Sequence, residues 1–168
     1  MICSGLTRAV DSSSGCDYSA HWLLDGLHYK ELTLTISKVG FFRELRHGSA
    51  YGPSIHDHRR DPAQPDEARI VQYLNAAATL AATGSMAAGA LDATRKAVAR
   101  LETATDGKWV WPRDLAYYVD TYHIVLPSEF VEHMRRGSWN PPSLSREDLM
   151  RIEDELFIQS AVPKSGSF

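Results

Sequence analysis

The segment from residue 106 to residue 127 constrains the fold more than any other part of the chain. It reads Asp-Gly-Lys-Trp-Val-Trp-Pro-Arg-Asp-Leu-Ala-Tyr-Tyr-Val-Asp-Thr-Tyr-His-Ile-Val-Leu-Pro. The Asp-Gly pair is typical of a tight hairpin turn, and the proline after the second tryptophan suits the first turn of a helix. Apolar and aromatic residues then recur at helical spacing, at Leu115, Tyr118, Val119 and Tyr122. The segment therefore predicts a turn, a short aromatic strand from Lys108 to Trp111 and an amphipathic helix.

Upstream of this segment, the sequence predicts a strand, a long loop and a helix. Polar and apolar residues alternate strictly from Glu31 to Ser37, which is typical of a strand with one buried face. Residues 46–65 are rich in glycine, proline, histidine and charge, and this composition favours a loop. Pro65 and the two acids after it suit a helix start, and Gly84 suits its end. The apolar stripe of this predicted helix comprises Ile70, Val71, Leu74, Ala77, Ala78 and Ala81.

Two more helices are predicted after the aromatic segment. Ser128 can cap the first of them, and Gly137 can end it. Ser145 and Asp148 have the spacing of a capping pair and open the second. The apolar stripe of this last helix comprises Leu149, Ile152 and Leu156, and its outer face is acidic.

Residues 93–101 fit two interpretations, because they can be read as a helix or as the approach to a hairpin. We favour a hairpin arm that begins near Ala97 and pairs with the aromatic strand. With that choice the chain predicts an α+β fold, a small antiparallel sheet with helices packed mainly on one face. At 168 residues it fits one domain. We predict an N-terminal extension over residues 1–28, a single domain over residues 29–160 and a tail over residues 161–168.

Charge, hydropathy and cysteine content exclude several classes of protein. A net charge of -3 and a pI near 6.1 give no clustered basic face for nucleic acid. The longest weakly polar run, from Ala76 to Ala90, is too short and too interrupted for a membrane span. The N-terminus has no continuous apolar signal core, and Cys3 and Cys16 form no paired motif. The sequence thus indicates a cytoplasmic protein without nucleic acid or membrane partners, and it leaves the oligomeric state open.

The loop from His47 to His58 carries the sharpest chemical hypothesis. In an extended backbone His56 and His58 would share a face and could reach one zinc or other divalent ion. His47 could add a third ligand, and Asp57 could orient an imidazole or act as a base. That arrangement would make a small metal-dependent hydrolase. We favour a polar loop with solvated histidines and no cofactor, because a His-x-His spacing is a weak motif.

No other set of residues has the pattern of a catalytic site. Cys16 with His21 or His28 would need an orienting carboxylate, and no nucleophile elbow or phosphate-binding loop is present. Paired acids such as Glu129 and Glu132 are typical of a solvated helix face. The absence of an organised catalytic set favours a protein that is not an enzyme.

The aromatic segment could instead serve binding. Trp109 and Trp111 share one strand face, and they either pack under the following helix or line a binding surface. We favour the core, because buried aromatics dominate the energetics of small domains. As an exposed surface they would contact a partner or form the walls of a small-molecule pocket. Tyr117, Arg113 and Asp114 form the preferred protein-contact patch, because tyrosine and arginine are enriched in interface hot spots.

Three runs carry a resemblance to a known group of proteins. They are Phe42-Arg-Glu-Leu-Arg-His-Gly48, the pattern Asp-Gly-x-Trp-x-Trp-Pro-x-Asp-Leu-x-Tyr-Tyr-Val from residue 106, and Leu126-Pro-Ser-Glu-Phe130. Between Phe42 and Met134 the chain resembles small uncharacterised proteins of high-GC actinobacteria. These proteins are similar in size and style to the immunity proteins of bacterial toxin systems, which is an analogy at fold level. The resemblance implies no catalytic residue.

The leading hypothesis from the sequence is a non-enzymatic cytoplasmic protein-interaction domain, of immunity-like character. It would engage a protein partner through Tyr117, Arg113, Asp114 and the acidic last helix. The metal-dependent hydrolase and the small-molecule binding domain remain as alternatives.

Overall fold

The structure is a computed structural model that describes residues 35–161. Its strands are β1 (Ser37–Lys38), β2 (Ala78–Ala87), β3 (Ala99–Thr105) and β4 (Trp109–Pro112), and its helices are α1 (Glu67–Ala76), α2 (Leu115–Tyr122), α3 (Ser128–Arg136) and α4 (Arg146–Ala161). A short 3₁₀ helix spans Ile55–His58. The predicted extension over residues 1–28, most of the strand predicted from Glu31 and nearly all of the predicted tail lie outside the described residues.

The strands form one sheet in the order β1-β4-β3-β2. Strands β2 and β3, and β3 and β4, pair antiparallel, whereas β1 pairs with β4 in parallel. The α+β prediction is confirmed, but the sheet is mixed rather than wholly antiparallel. A parallel pair needs a long connection, and here residues 39–108 carry the chain from β1 through α1 and the β2–β3 arm to β4. The local alternation of polar and apolar residues predicts a strand but not which distant strand it pairs with.

The predicted hairpin and the helices after it are confirmed, but two of the predicted helix starts are wrong. Pro112 is the last residue of β4 rather than part of the first turn of α2, and α3 has Pro127 at its N-cap position without a side-chain cap from Ser128. Strands β3 and β4 meet around the Asp106-Gly107 turn, with Thr105 opposite Val110. Helix α2 covers the predicted stripe, and α3 ends at Gly137. At the start of α4 the Ser145 hydroxyl accepts from the Asp148 amide at 3.1 Å, and the Asp148 carboxylate accepts from the Ser145 amide at 3.0 Å. This is the reciprocal cap that the spacing predicts.

The prediction of one helix from Pro65 to Gly84 is confirmed for its first half and wrong for its second half. It ends at Ala76, and Ala77 turns the chain into an extended conformation with φ -67° and ψ 158°. The residues up to Ala87 then form β2 against β3. Alanine and threonine occur in both helices and strands, so contacts with residues outside the segment decide which of the two forms.

No helix among the described residues is long and apolar enough to cross a membrane.

The buried residues form two clusters, one on each face of the sheet. The larger cluster joins α1, α2 and α3 to Trp109 and Trp111. The smaller one consists of Ile36, Val110 and Ile152, so α4 packs on the opposite face. Because side chains alternate along β4, its two tryptophans and Val110 point to different faces.

Candidate functional site

The structure places the two predicted tryptophan contacts inside the domain. Trp111 has no exposed surface, and Trp109 is 8% exposed. Both rings pack on Phe130, with ring centroids 4.8 Å away for Trp109 and 5.3 Å away for Trp111. Neither ring presents an exposed surface to a protein partner. They act through burial, which is the packing that the sequence favours.

Arg113 of the predicted contact patch is bound internally. Its guanidinium donates to the carbonyl oxygens of Leu74 at 3.1 Å and Asn75 at 3.0 Å, and to that of Ala77 at 3.2 Å. It also lies 3.6 Å from the Glu102 carboxylate. The last carbonyls of a helix have no partner within the helix, and a cation there is favourable. Arg113 therefore caps the C-terminus of α1.

Asp114 and Tyr117 are also held within the domain. The Asp114 carboxylate is buried and lies 3.1 Å from Nε2 of His47. Tyr117 is half-buried and packs edge-on against Tyr118, whose ring centroid is 5.2 Å away. Burial raises the pKa of Tyr118 to about 12, although the hydrogen bond from the Ala90 amide opposes the rise. Of the predicted patch, Tyr117 keeps partial access to solvent.

The three predicted metal ligands have separate surroundings. His47 pairs with Asp114, and Nδ1 of His58 lies 2.9 Å from the Ser54 carbonyl oxygen. His56 is exposed. Residues 55–58 form a 3₁₀ helix rather than an extended segment, so the two histidines of the His-x-His pair do not share a face. Within residues 35–161, no three His, Cys, Asp or Glu side chains are grouped as metal ligands.

Glu44 explains why this loop is folded back. Its carboxylate accepts from the Ser54 hydroxyl at 2.6 Å and from the Ile55 amide at 2.9 Å. Burial acts to raise the pKa of Glu44, but these hydrogen bonds outweigh it and hold the pKa at about 2. Ile55 is thereby fixed in the larger core cluster.

The outer face of α4 is the largest exposed apolar feature that one helix carries among the described residues. Phe157 is 74% exposed, and Met150 and Ile158 are each 56% exposed. Met150 and Phe157 lie seven residues apart, so they are two turns apart on the same side of the helix. The opposite side of α4 packs on the sheet through Ile152. The helix is therefore apolar on two sides, and one of them has no partner among residues 35–161.

Acidic residues lie beside and between the apolar residues of this outer face, since Glu153 and Asp154 stand one turn from both Met150 and Phe157. Glu147, Glu153 and Asp154 are exposed, and none of them forms an ion pair or a side-chain hydrogen bond within the described part of the chain. Other acids of α4 are engaged, since Asp148 pairs with Arg151 and with Ser145. We use the term α4 outer face for Met150, Phe157 and Ile158 with the neighbouring acids Glu147, Glu153 and Asp154.

A second feature centres on the buried carboxylate of Asp106. Its Oδ1 accepts from the amides of Lys108 at 2.9 Å and Trp109 at 2.7 Å. Its Oδ2 accepts from the Tyr73 hydroxyl at 2.8 Å and lies 3.1 Å from Nε2 of His133. Burial, and then the charge and hydrogen bond of Asp106, raise the pKa of Tyr73 far above its usual value. One carboxylate thus joins the hairpin turn, α1 and α3.

The sequence contains a signal for one of these features and none for the other. Met150 and Phe157 could be found from their helical spacing once the inner stripe of α4 is assigned. Tyr73, Asp106 and His133 are 33 and 27 residues apart in sequence. No local motif connects them, and the Asp-Gly signal explains Asp106 as a turn residue alone.

No protein-family model, curated protein or solved structure matches this chain. The resemblance to actinobacterial proteins therefore stays a prediction, and the function is argued from the geometry alone.

Proposed function

We propose that this protein is a non-enzymatic, cytoplasmic protein-interaction domain that binds its partner on the α4 outer face. The observation that carries the proposal is the exposure of Phe157, Met150 and Ile158 on a helix whose other side is already packed. Single exposed apolar residues are common on protein surfaces, but several large ones on one side of a single helix are typical of an interaction site. An apolar helix stripe is suited to a groove or to a second helix.

The acids of the α4 outer face define the chemistry of the partner. Glu153 and Asp154 lie between Met150 and Phe157 along the helix, and Glu147 lies one turn before Met150, so negative charge is interspersed with the apolar side chains. Charged rims steer association and select partners of opposite sign, whereas the apolar centre supplies most of the affinity. The partner is therefore a protein surface with basic residues around an apolar depression. Nucleic acid is disfavoured, because phosphates would be repelled.

This proposal keeps the class of function that the sequence predicts but moves the contact surface. Arg113 and Asp114 are bound to other residues of the domain, and the two tryptophans are buried. The acidic last helix, which the sequence also names, remains available. An immunity-like role, in which the partner is a bacterial toxin, is the particular case that the resemblance suggests.

Site-specific crosslinking tests the surface directly. A photoreactive benzoylphenylalanine is placed at Phe157 and, as the control, at Tyr51, which is fully exposed and aromatic but lies outside α4. We expect a crosslinked partner from position 157 in cells that produce the protein, and none above background from position 51. Equal crosslinking at both positions would overturn the proposal.

The purified partner then gives the quantitative test. Phe157→Ala is expected to weaken its binding by at least about tenfold, because truncating an interface anchor typically costs more than 1 kcal/mol. Tyr51→Ala serves as the control and should leave the affinity unchanged. Asp154→Lys should weaken binding most at low salt, since a rim charge acts over a screening length of about 10 Å. An affinity unaffected by Phe157→Ala and Asp154→Lys contradicts the assignment, as does a second copy of this chain as the sole crosslinked species.

A further inference from the structure

Two neighbouring depressions, together called the cleft, lie beside the Asp106 centre at the C-terminal end of α3. One has a volume of about 360 Å³ and is lined by Tyr73, Asp106, His133 and Arg136, among others. The other measures about 540 Å³ and is lined by Arg69, Arg135 and Trp139, among others. Asn140 borders both parts. The volumes lie in the range that accommodates small ligands.

The lining is rich in basic side chains although the chain as a whole is acidic. Arg69, Arg135, Arg136 and His133 contribute to it, in a chain whose net charge is -3. Asp106 supplies the one carboxylate of the described lining, and each of its oxygens already has two partners. Carboxylates outside the lining pair with all three arginines. Asp66 lies 3.6 Å from Arg69 and 3.2 Å from Arg135, and Glu132 lies 2.7 Å from Arg135 and 3.7 Å from Arg136.

His133 is oriented by Asp106 so that one ring nitrogen remains available. An ionised carboxylate accepts hydrogen bonds and cannot donate them, so Nε2 of His133 carries the hydrogen that faces Asp106. Nδ1 has no hydrogen-bond partner among residues 35–161. It can accept a hydrogen bond from a ligand.

The end of α3 places Trp139 at the rim of the cleft. The Trp139 amide donates to the Met134 carbonyl at 2.9 Å, and the Ser138 amide donates to the Arg135 carbonyl at 3.0 Å. This is a Schellman motif, in which the left-handed position usually holds glycine. Here Ser138 has φ 53° and Trp139 has φ 61°. The indole lies against two guanidinium groups, 6.0 Å from Arg69 and 5.7 Å from Arg135.

We propose that this cleft binds a small organic anion. Its carboxylate or phosphate group lies against Arg136 next to the His133 ring, and the rest of the molecule extends past Asn140 towards Trp139. Arginine recognises both groups through charge-assisted hydrogen bonds, so the two share one chemistry. The site uses no residue of the α4 outer face. A failure here therefore leaves the proposed partner surface untouched, and the reverse holds as well.

The test is an NMR titration of the ¹⁵N-labelled full chain with phenyl phosphate and, separately, with benzoate. Benzyl alcohol, which has the ring but no charge, is the ligand control. We expect saturable shifts of the His133 imidazole nitrogens and of the Trp139 indole N–H with at least one anion, and none with the alcohol. The anion that binds more tightly distinguishes a phosphate ligand from a carboxylate ligand.

Two arginine variants separate a built site from general attraction of anions. Arg136→Gln is expected to weaken binding by at least about tenfold. Arg151→Gln removes an equally exposed arginine, at 75% against 76%, and should leave binding unchanged. The backbone amide spectrum of each variant confirms that it is folded. The proposal is overturned if no anion gives saturable shifts up to about 10 mM, or if both variants reduce binding equally.

Discussion

The two faces of the sheet differ in how completely they are covered. On the first face three helices enclose large side chains, and Trp111, Tyr73, Tyr118 and Phe130 are essentially inaccessible. On the second face α4 covers a cluster whose buried members are Ile36, Val110 and Ile152. The first face is a core in which aromatic rings meet at centroid distances of 4.8 to 6.4 Å. The second is a single helix laid on a strand.

This difference separates stability from function. Most of the aromatic surface is buried in the packing of the first face. The large aromatic side chains therefore have little exposed surface with which to contact a partner. On the second face the covering helix is still apolar on its outer side, at Met150 and Phe157. The cleft at the end of α3 lies at the margin of the first face, and the buried Asp106 and Tyr73 contribute to its inner wall. Three variants test the contrast between the faces.

Truncation of Trp111 should have the largest effect. Trp111→Ala leaves a cavity among Tyr73 and Phe130 and removes the donor to the Leu74 carbonyl, so we expect a loss of about 3–5 kcal/mol in the free energy of unfolding. Urea unfolding monitored by circular dichroism measures it. Trp111→Phe retains most of the apolar volume and should cost less. A change below about 1 kcal/mol for the alanine variant contradicts a dense first face.

On the second face, Ile152→Ala should cost less. Ile152 is 2% exposed but belongs to the smaller cluster, so we expect a loss of about 2 kcal/mol, at the lower end for buried isoleucine. Ile158→Ala on the same helix is the matched control. Its side chain is 56% exposed, and its effect should stay within about 0.5 kcal/mol. Equal losses for the two isoleucines would mean that the outer side of α4 is packed as well.

Substitution of Glu44 should have the smallest effect on the free energy of unfolding, and this effect should depend on pH. The Glu44 carboxylate accepts a hydrogen bond from the Ile55 amide and so holds Ile55 in the first face. The folded-state pKa of Glu44 is about 2 against an ordinary value of 4.5, so the folded state favours the carboxylate. Its contribution is complete above about pH 4.5 and is lost as the pH falls towards 2. The free energy of unfolding of the wild type should exceed that of Glu44→Gln by about 1–2 kcal/mol at pH 6. This difference should shrink between pH 4.5 and pH 2.

Unfolding free energies of both proteins across that range provide the measurement. Glu153→Gln removes an exposed carboxylate from α4 and controls for the change in net charge. A difference between wild type and Glu44→Gln that stays constant from pH 6 to pH 2 would falsify the role given to the Ser54 and Ile55 hydrogen bonds.

The parts of the fold that could be predicted are those with local signals. The Asp-Gly turn, the aromatic strand and α2 follow from residues within a few positions of one another. The capping pair of Ser145 and Asp148 does so too. The segment from Ala77 to Gly84 could not be assigned in this way. Its small residues tolerate both a helix and a strand, and pairing with β3 together with the guanidinium of Arg113 decides between them.

The candidate sites show the same limit. The sequence identifies the acidic last helix, and the spacing of Met150 and Phe157 makes its outer side visible in principle. It cannot show that Arg113 and Asp114 are taken up inside the domain, because their partners are Leu74 and His47, both far away in the chain. The cleft likewise exists only once Tyr73, Asp106 and His133 meet.

The sequence by itself determined the α+β class, the hairpin, the cap of α4 and the apolar stripes of α2 and α4, because each depends on interactions between residues near in the chain. The tertiary structure alone decided which aromatic residues are buried, where α1 ends, which side of α4 remains uncovered and which side chains surround Asp106. Those outcomes depend on competition between distant partners for the same donors, acceptors and apolar surface. A local pattern contains no information about which partner wins.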